Sequence, residues 1–184
     1  YKNRGLLMGK SCLHPFICFG TRPEAIKLAP VIDECIKHEQ ILPVVCSTGQ
    51  HKEMLDQASD YFELAIDFKL NVMKHNQTLA SLTTTLLDGL NEKIIQTQPD
   101  CIIAQGDTTT VLAAAMTAFY NRLPFCHVEA GLRTYNLQSP WPEEFNRRVA
   151  GLCTSLHFAP TARAASALSR EGISRENIFV TGNT

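Results

Sequence analysis

Short apolar runs alternate with longer segments of helical periodicity from residue 16 to the end of the chain. Phe16–Phe19, Val44–Ser47, Cys101–Ala104, Phe125–Val128, Leu156–Ala159 and Ile178–Val180 read as buried strands, and residues 68–72 as a weaker one. Between them, Ala25, Ala29, Ile32 and Ile36 recur at helical spacing, as do Leu79, Leu82, Leu86, Leu90 and Ile94. Further helices are expected at 52–62, 109–122, from Glu143 onward and at 161–170, with Pro30 expected to kink the first helix and Gly172 to cap the last. Strands that alternate with helices predict an α/β fold, a doubly wound, Rossmann-like parallel sheet with right-handed crossovers.

The strand ends carry the chemistry. In an open parallel sheet, ligands bind outside the carboxyl ends of the strands. Asp107 follows the strand at 101–104, and Glu129 follows the strand at 125–128. A third acidic site, Glu143-Glu144, opens a helix after the stiff turn Pro140-Trp141-Pro142. Each acid also has a local structural reading. Asp107 could cap the helix that begins near Thr109, Glu129 could pair with the nearby Arg133, and Glu143 could be a first-turn acid favoured by the helix dipole. Thr21 and Glu24 form a T-x-x-E capping box after the first strand, with Pro23 beside it. The N-terminus of that helix is an anion site in waiting, with Arg22 on its loop and Lys27 one turn in. Carboxylates that converge on one crevice suit proton abstraction and return, and the basic pair suits a phosphate-bearing substrate.

Composition narrows the partners. With 17 Lys and Arg against 18 Asp and Glu, the 184-residue chain has no basic field to recruit nucleic acid or an anionic membrane. No apolar run approaches the roughly 20 residues of a spanning helix. A chain of this size suits one domain with a real core. The seven cysteines are scattered and form no C-x-x-C pair, which fits a reducing cytoplasm. The six histidines show no ligand spacing, so no metal is expected. The first residue is Tyr1, and the chain is expected to be a fragment or a trimmed piece.

The motifs G-T-R-P-E-A-I-K (20–27), T-G-Q-H-K-E-M-L-D-Q (48–57), Q-G-D-T-T-T (105–110), H-V-E-A-G-L-R-T (127–134), S-P-W-P-E-E-F-N-R (139–147) and V-T-G-N-T (180–184) occur in this order. Together they resemble the non-hydrolysing UDP-N-acetylglucosamine 2-epimerases. The resemblance covers residues 16–184 and leaves residues 1–15 as an N-terminal extension. It implies the N-terminal domain of a GT-B-type two-domain enzyme, a homodimer, that interconverts UDP-GlcNAc and UDP-ManNAc without metal, nicotinamide or any other cofactor. In that family the C2 proton leaves as UDP departs from C1, giving 2-acetamidoglucal, and UDP then re-adds with protonation on the opposite face. Asp107, Glu129 and Glu143 match the family's acid–base carboxylates, with base and acid unassigned. Arg22 and Lys27 match residues near the diphosphate. Gln50 fits the pattern of relatives that bind a further UDP-GlcNAc as activator, whereas Glu53 and Asn76 depart from it, so effector control is not expected. The second domain lies outside the sequence, and the chain is expected to be inactive alone. The competing readings are a hydrolysing 2-epimerase that releases ManNAc, a GT-B nucleotide-sugar transferase, and an inactive half-domain that only binds nucleotide sugar.

Overall fold

The structure, a computed structural model, describes residues 12–49, 62 and 64–184. Gln50, Glu53 and nearly all of the helix expected over 52–62 lie outside the described residues, as do residues 1–11 of the expected extension.

Seven strands form one parallel sheet: β1 (Pro15–Phe19), β2 (Val44–Ser47), β3 (Phe68–Lys69), β4 (Cys101–Gln105), β5 (Phe125–Val128), β6 (Leu156–Ala159) and β7 (Ile178–Val180). Their order across the sheet is β3-β2-β1-β4-β5-β6-β7, with every neighbouring pair parallel. The described helices are α1 (Arg22–Lys37), α2 (Leu79–Thr97), α3 (Thr109–Tyr120), α4 (Glu143–Cys153) and α5 (Ala162–Arg170). A short 3₁₀ turn, Arg175–Asn177, precedes β7. The predicted doubly wound, Rossmann-like sheet is therefore present. The third strand is shorter than expected, ending at Lys69.

Successive strand side chains point to opposite faces, and the sheet uses both. Phe16, Cys18, Cys46, Ile102 and Ala104 join Leu82, Leu86, Leu90 and Ile94 of α2 and the alanines of α3 on one face. Ile17, Phe19 and Val45 meet Ala25, Leu28 and Ile32 of α1 on the other. The predicted stripes on α1 and α2 are thus core, except that Ile36 and Leu79 are exposed. α1 is a single helix that runs through Pro30. At the far edge, Gly131 (φ +89°) lies so close to α5 that an added Cβ would collide with the Ala164 carbonyl oxygen. Gly172, at φ +86°, follows the α5 cap residue Glu171 in the left-handed conformation that ends helices.

This winding sets the site. The chain builds outward from β1 through β2 to β3, then returns to place β4 on the other side of β1. Loops from β1 and β4 part at that switch point and leave a crevice between them.

Candidate active site

The first wall of the crevice is the β1–α1 turn. Glu24, 3% exposed, completes the predicted capping box, and its Oε2 accepts the N–H groups of Gly20 at 2.7 Å and Thr21 at 2.8 Å. Its Oε1 accepts the Thr108 hydroxyl at 2.6 Å, so one buried carboxylate ties the β1 loop to the β4 loop. Burial pushes the Glu24 carboxyl above its ordinary range, against the pull of these donors. Arg22 is exposed at the first position of α1 and has no ion pair among the described residues.

The second wall is the turn after β4. Asp107 does not cap α3. Thr108 is the N-cap, its hydroxyl oxygen facing the Val111 N–H, and the Asp107 carboxylate is drawn instead to Arg147 of α4. Arg147 places Nε at 2.9 Å and Nη2 at 2.7 Å from the same oxygen, Oδ2. Oδ1 has no hydrogen bond among the described residues. The Asp107 carbonyl accepts from Asn146 Nδ2 at 2.8 Å.

Glu129 follows β5 with φ 65°, a left-handed backbone that disfavours a side chain and is common at functional sites. The alternative local pairing of Glu129 with Arg133 does not form. Arg133 turns away to Glu171, at 2.9 and 3.0 Å, while Glu129 receives Lys27 Nζ at 2.5 Å and the side-chain amide of Gln105. The positive φ is the physical reason: the chain reverses at Glu129, so the residue four positions on leaves the crevice. Lys27, one turn into α1, points back across the ends of β1 and β4 instead.

Glu143 and Glu144 separate completely. Glu144 is fully buried and accepts the N–H groups of Thr134 and Tyr135, each at 3.0 Å, and Arg147 Nη1 at 3.3 Å. Burial alone would raise its carboxyl, but these donors outweigh burial and hold it below the ordinary value. Glu144 is the brace of the 134–142 turn. Glu143 stands half-buried in the first turn of α4, with no hydrogen bond or ion pair among the described residues. Residues three and four apart share a helix face, which puts Glu143 on the face whose Asn146 and Arg147 reach Asp107.

Among the site residues named from sequence, the structure thus joins Lys27 to Glu129 and sets Glu143 on the α4 face that holds Asp107. It leaves Arg22 exposed nearby. Sequence reasoning gave Glu24 only its capping role and gave none to Gln105, Asn146 and Arg147. Only Asn146 and Arg147 carried a signal, through their i+3 and i+4 spacing from Glu143. Beside these acids a cleft of about 590 Å³ opens between residues 131–135 and α5, lined by Arg133, Arg147, Arg163 and Arg170. No group of three His, Cys, Asp or Glu side chains converges as a metal site among the described residues. No described helix is long and apolar enough to cross a membrane.

The fold and the crevice define a Rossmann-like α/β domain with carboxylates at its topological switch point, next to an arginine-lined cleft. More particularly, the chain belongs to the UDP-N-acetylglucosamine 2-epimerase family, whose family model matches residues 33–184. A Neisseria meningitidis UDP-N-acetylglucosamine 2-epimerase is 52% identical over 166 residues, which are 90% of this chain and 45% of that protein. A Salmonella typhimurium UDP-N-acetylglucosamine 2-epimerase is 49% identical over 90% of this chain and 44% of its own length. Among solved structures, the Neisseria meningitidis UDP-GlcNAc 2-epimerase bound to UDP-GlcNAc superimposes with a TM-score of 0.91 at 50% identity, covering 94% of this chain and 46% of its own. A Methanocaldococcus jannaschii UDP-GlcNAc 2-epimerase in complex with UDP-GlcNAc and UDP gives 0.87 at 36% identity, over 93% and 47%. The lipopolysaccharide galactosyltransferase WaaB, at 13% identity and a TM-score of 0.64, shares the fold alone. The chain spans about half the length of the curated relatives it matches.

Proposed function

We propose that the chain is the carboxylate-bearing half of a GT-B-type, non-hydrolysing UDP-GlcNAc 2-epimerase that interconverts UDP-GlcNAc and UDP-ManNAc. The observation that supports this best is the unequal treatment of its three acids. Asp107 and Glu129 each face a cation, Arg147 and Lys27, whereas Glu143 faces none among the described residues. A carboxylate held opposite a cation is suited to accept a proton from C2, and a carboxyl group with no cation on it is suited to deliver one. In the forward step the C2–H bond breaks, its electrons form the C1–C2 double bond, and the C1–O bond to UDP breaks. The products are 2-acetamidoglucal and UDP. In the return step UDP re-adds at C1 as a proton reaches C2 from the opposite face. Arg22 and the arginine-lined cleft suit the departing diphosphate. Lys27 serves the site by holding Glu129 at the mouth of the same crevice.

The test is the full-length enzyme with UDP-GlcNAc in D₂O, followed by NMR. Deuterium should enter C2 while UDP-ManNAc accumulates. Glu143→Gln should lower turnover about 100-fold, consistent with the loss of one proton-transfer group. Free ManNAc as the main product would instead establish the hydrolysing reaction. The full-length enzyme is further read as a cytoplasmic homodimer that serves cell-surface polysaccharide synthesis. Seven unpaired cysteines fit the compartment. Ile95, Phe119, Tyr120 and Leu152 are exposed near the C-terminal ends of α2, α3 and α4, apolar side chains suited to contact with a second copy. Light scattering should give twice the protomer mass for the wild type, and a monomer mass there would sink the dimer.

A further inference from the structure

Asp107 lies in the turn between β4 and α3, outside both elements, yet on the reading above its side chain must meet a carbon atom with sub-ångström tolerance. The preceding residue, Gly106, has φ +91°, a conformation that only glycine enters freely. Two consecutive residues of β5 grip it. The Gly106 N–H donates to the Val128 carbonyl at 3.1 Å, and the Gly106 carbonyl lies 2.7 Å from His127 Nε2. A carbonyl can only accept, so the imidazole must carry its proton on Nε2. His127 is 1% exposed, and burial pushes its imidazole down to about 4, which keeps the ring neutral at working pH.

Peptide groups are planar, so holding the Gly106 carbonyl also holds the Asp107 N–Cα bond. On the other side, Asn146, 3% exposed, holds the Asp107 carbonyl at 2.8 Å and so fixes the next peptide plane. With both flanking planes pinned, the Cα–Cβ direction of Asp107 is set before Arg147 touches its carboxylate. We infer that His127 and Asn146 are positioning residues that aim Asp107 at the substrate, His127 through the Gly106 carbonyl and Asn146 through the carbonyl of Asp107 itself. This inference rests on the epimerase reading above.

A misplacement of about 1 Å can cost about 100-fold in rate without loss of binding. In the full-length enzyme His127→Leu should therefore lower kcat for UDP-GlcNAc by about 10- to 100-fold, with KM changed less than about threefold. His127→Gln can set an amide N–H near the former Nε2 and should recover most of that loss. Asn146→Leu should lower the same parameter. The double variant should fall short of the product of the two single effects, because both act on one side chain. Wild-type kcat in His127→Leu, no rescue by Gln, or a loss shared equally by KM would overturn the inference. Should His127→Leu be insoluble, His127→Gln and Asn146→Leu carry the comparison. The imidazole ¹⁵N spectrum reads the tautomer without substrate: a protonated Nε2 and bare Nδ1 is the expected pattern, and the reverse tautomer refutes the clamp. A wild-type enzyme inert towards UDP-GlcNAc would sink the functional reading alone.

Discussion

In the full-length enzyme, on the proposed reading, replacing Glu129 by glutamine should lower epimerisation by about 1,000-fold while the domain stays folded. The magnitude follows from two losses in one change. The amide cannot take a proton from C2, and Lys27, which sits 2.5 Å from Glu129 Oε1, loses its counter-charge and is freed to bind elsewhere. The fold should tolerate the change because the pair is not deeply buried: the side chains are 25% and 16% exposed for Lys27 and Glu129. The substituted amide can still present its oxygen to Gln105. The informative control is Lys27→Met, which removes the cation and leaves the carboxylate. If Lys27 acts by holding Glu129, Lys27→Met should fall in kcat with little change in KM. If it acts as a diphosphate ligand, KM should rise. Turnover by Glu129→Gln within about tenfold of wild type would remove Glu129 from the proton-transfer machinery.

That Lys27–Glu129 contact also shows where sequence reasoning ended. The strands were legible because burial on both faces leaves near-continuous apolar runs, and the α1 start was legible because Thr21, Pro23 and Glu24 are local signals. The order of the motifs carried the site as far as naming Asp107, Glu129 and Glu143. What sequence could not choose was the long-range partner of each acid. Arg133 was the natural partner for Glu129 at a separation of four residues, but the left-handed φ at Glu129 sends Arg133 to Glu171. Lys27 is 102 residues away, and only the adjacency of β1, β4 and β5 brings it within reach. Asp107 was displaced from its capping role by the hydroxyl of the next residue, since α4 brings Arg147 to its carboxylate. Glu143 and Glu144 are alike as letters. The 134–142 turn brings the N–H groups of Thr134 and Tyr135 to Glu144, its buried brace, and leaves Glu143 without an ion pair among the described residues.

A second large effect should appear in acid. His127 and His157 are register partners on β5 and β6, and each is 1% exposed. Burial lowers the His127 imidazole to about 4, and burial with the neighbouring His127 and Arg133 lowers His157 to about 3. His157 Nδ1 has no hydrogen-bond partner among the described residues, and the backbone of Thr154 only partly offsets the burial of the ring. An unfolded histidine titrates near about 6.5. Between that value and the folded one, the unfolded chain binds protons that the folded chain refuses, so stability must fall as pH falls. The contribution is fully present above about pH 6.5 and is lost progressively down to about pH 4 and below. For His127 alone the separation of the two values amounts to roughly 3 kcal/mol, a large share of the 5–15 kcal/mol typical of domains. Denaturant unfolding from pH 7 to pH 4, followed by far-UV circular dichroism, should show that decline. Carboxylates titrate in the lower part of the same window, so the decisive comparison is His157→Leu. It removes one buried imidazole and its orphaned nitrogen, and should flatten the decline between about pH 6 and pH 4.5 while changing stability at pH 7 little. An acid limb identical to that of the wild type would show that the buried histidines do not set it.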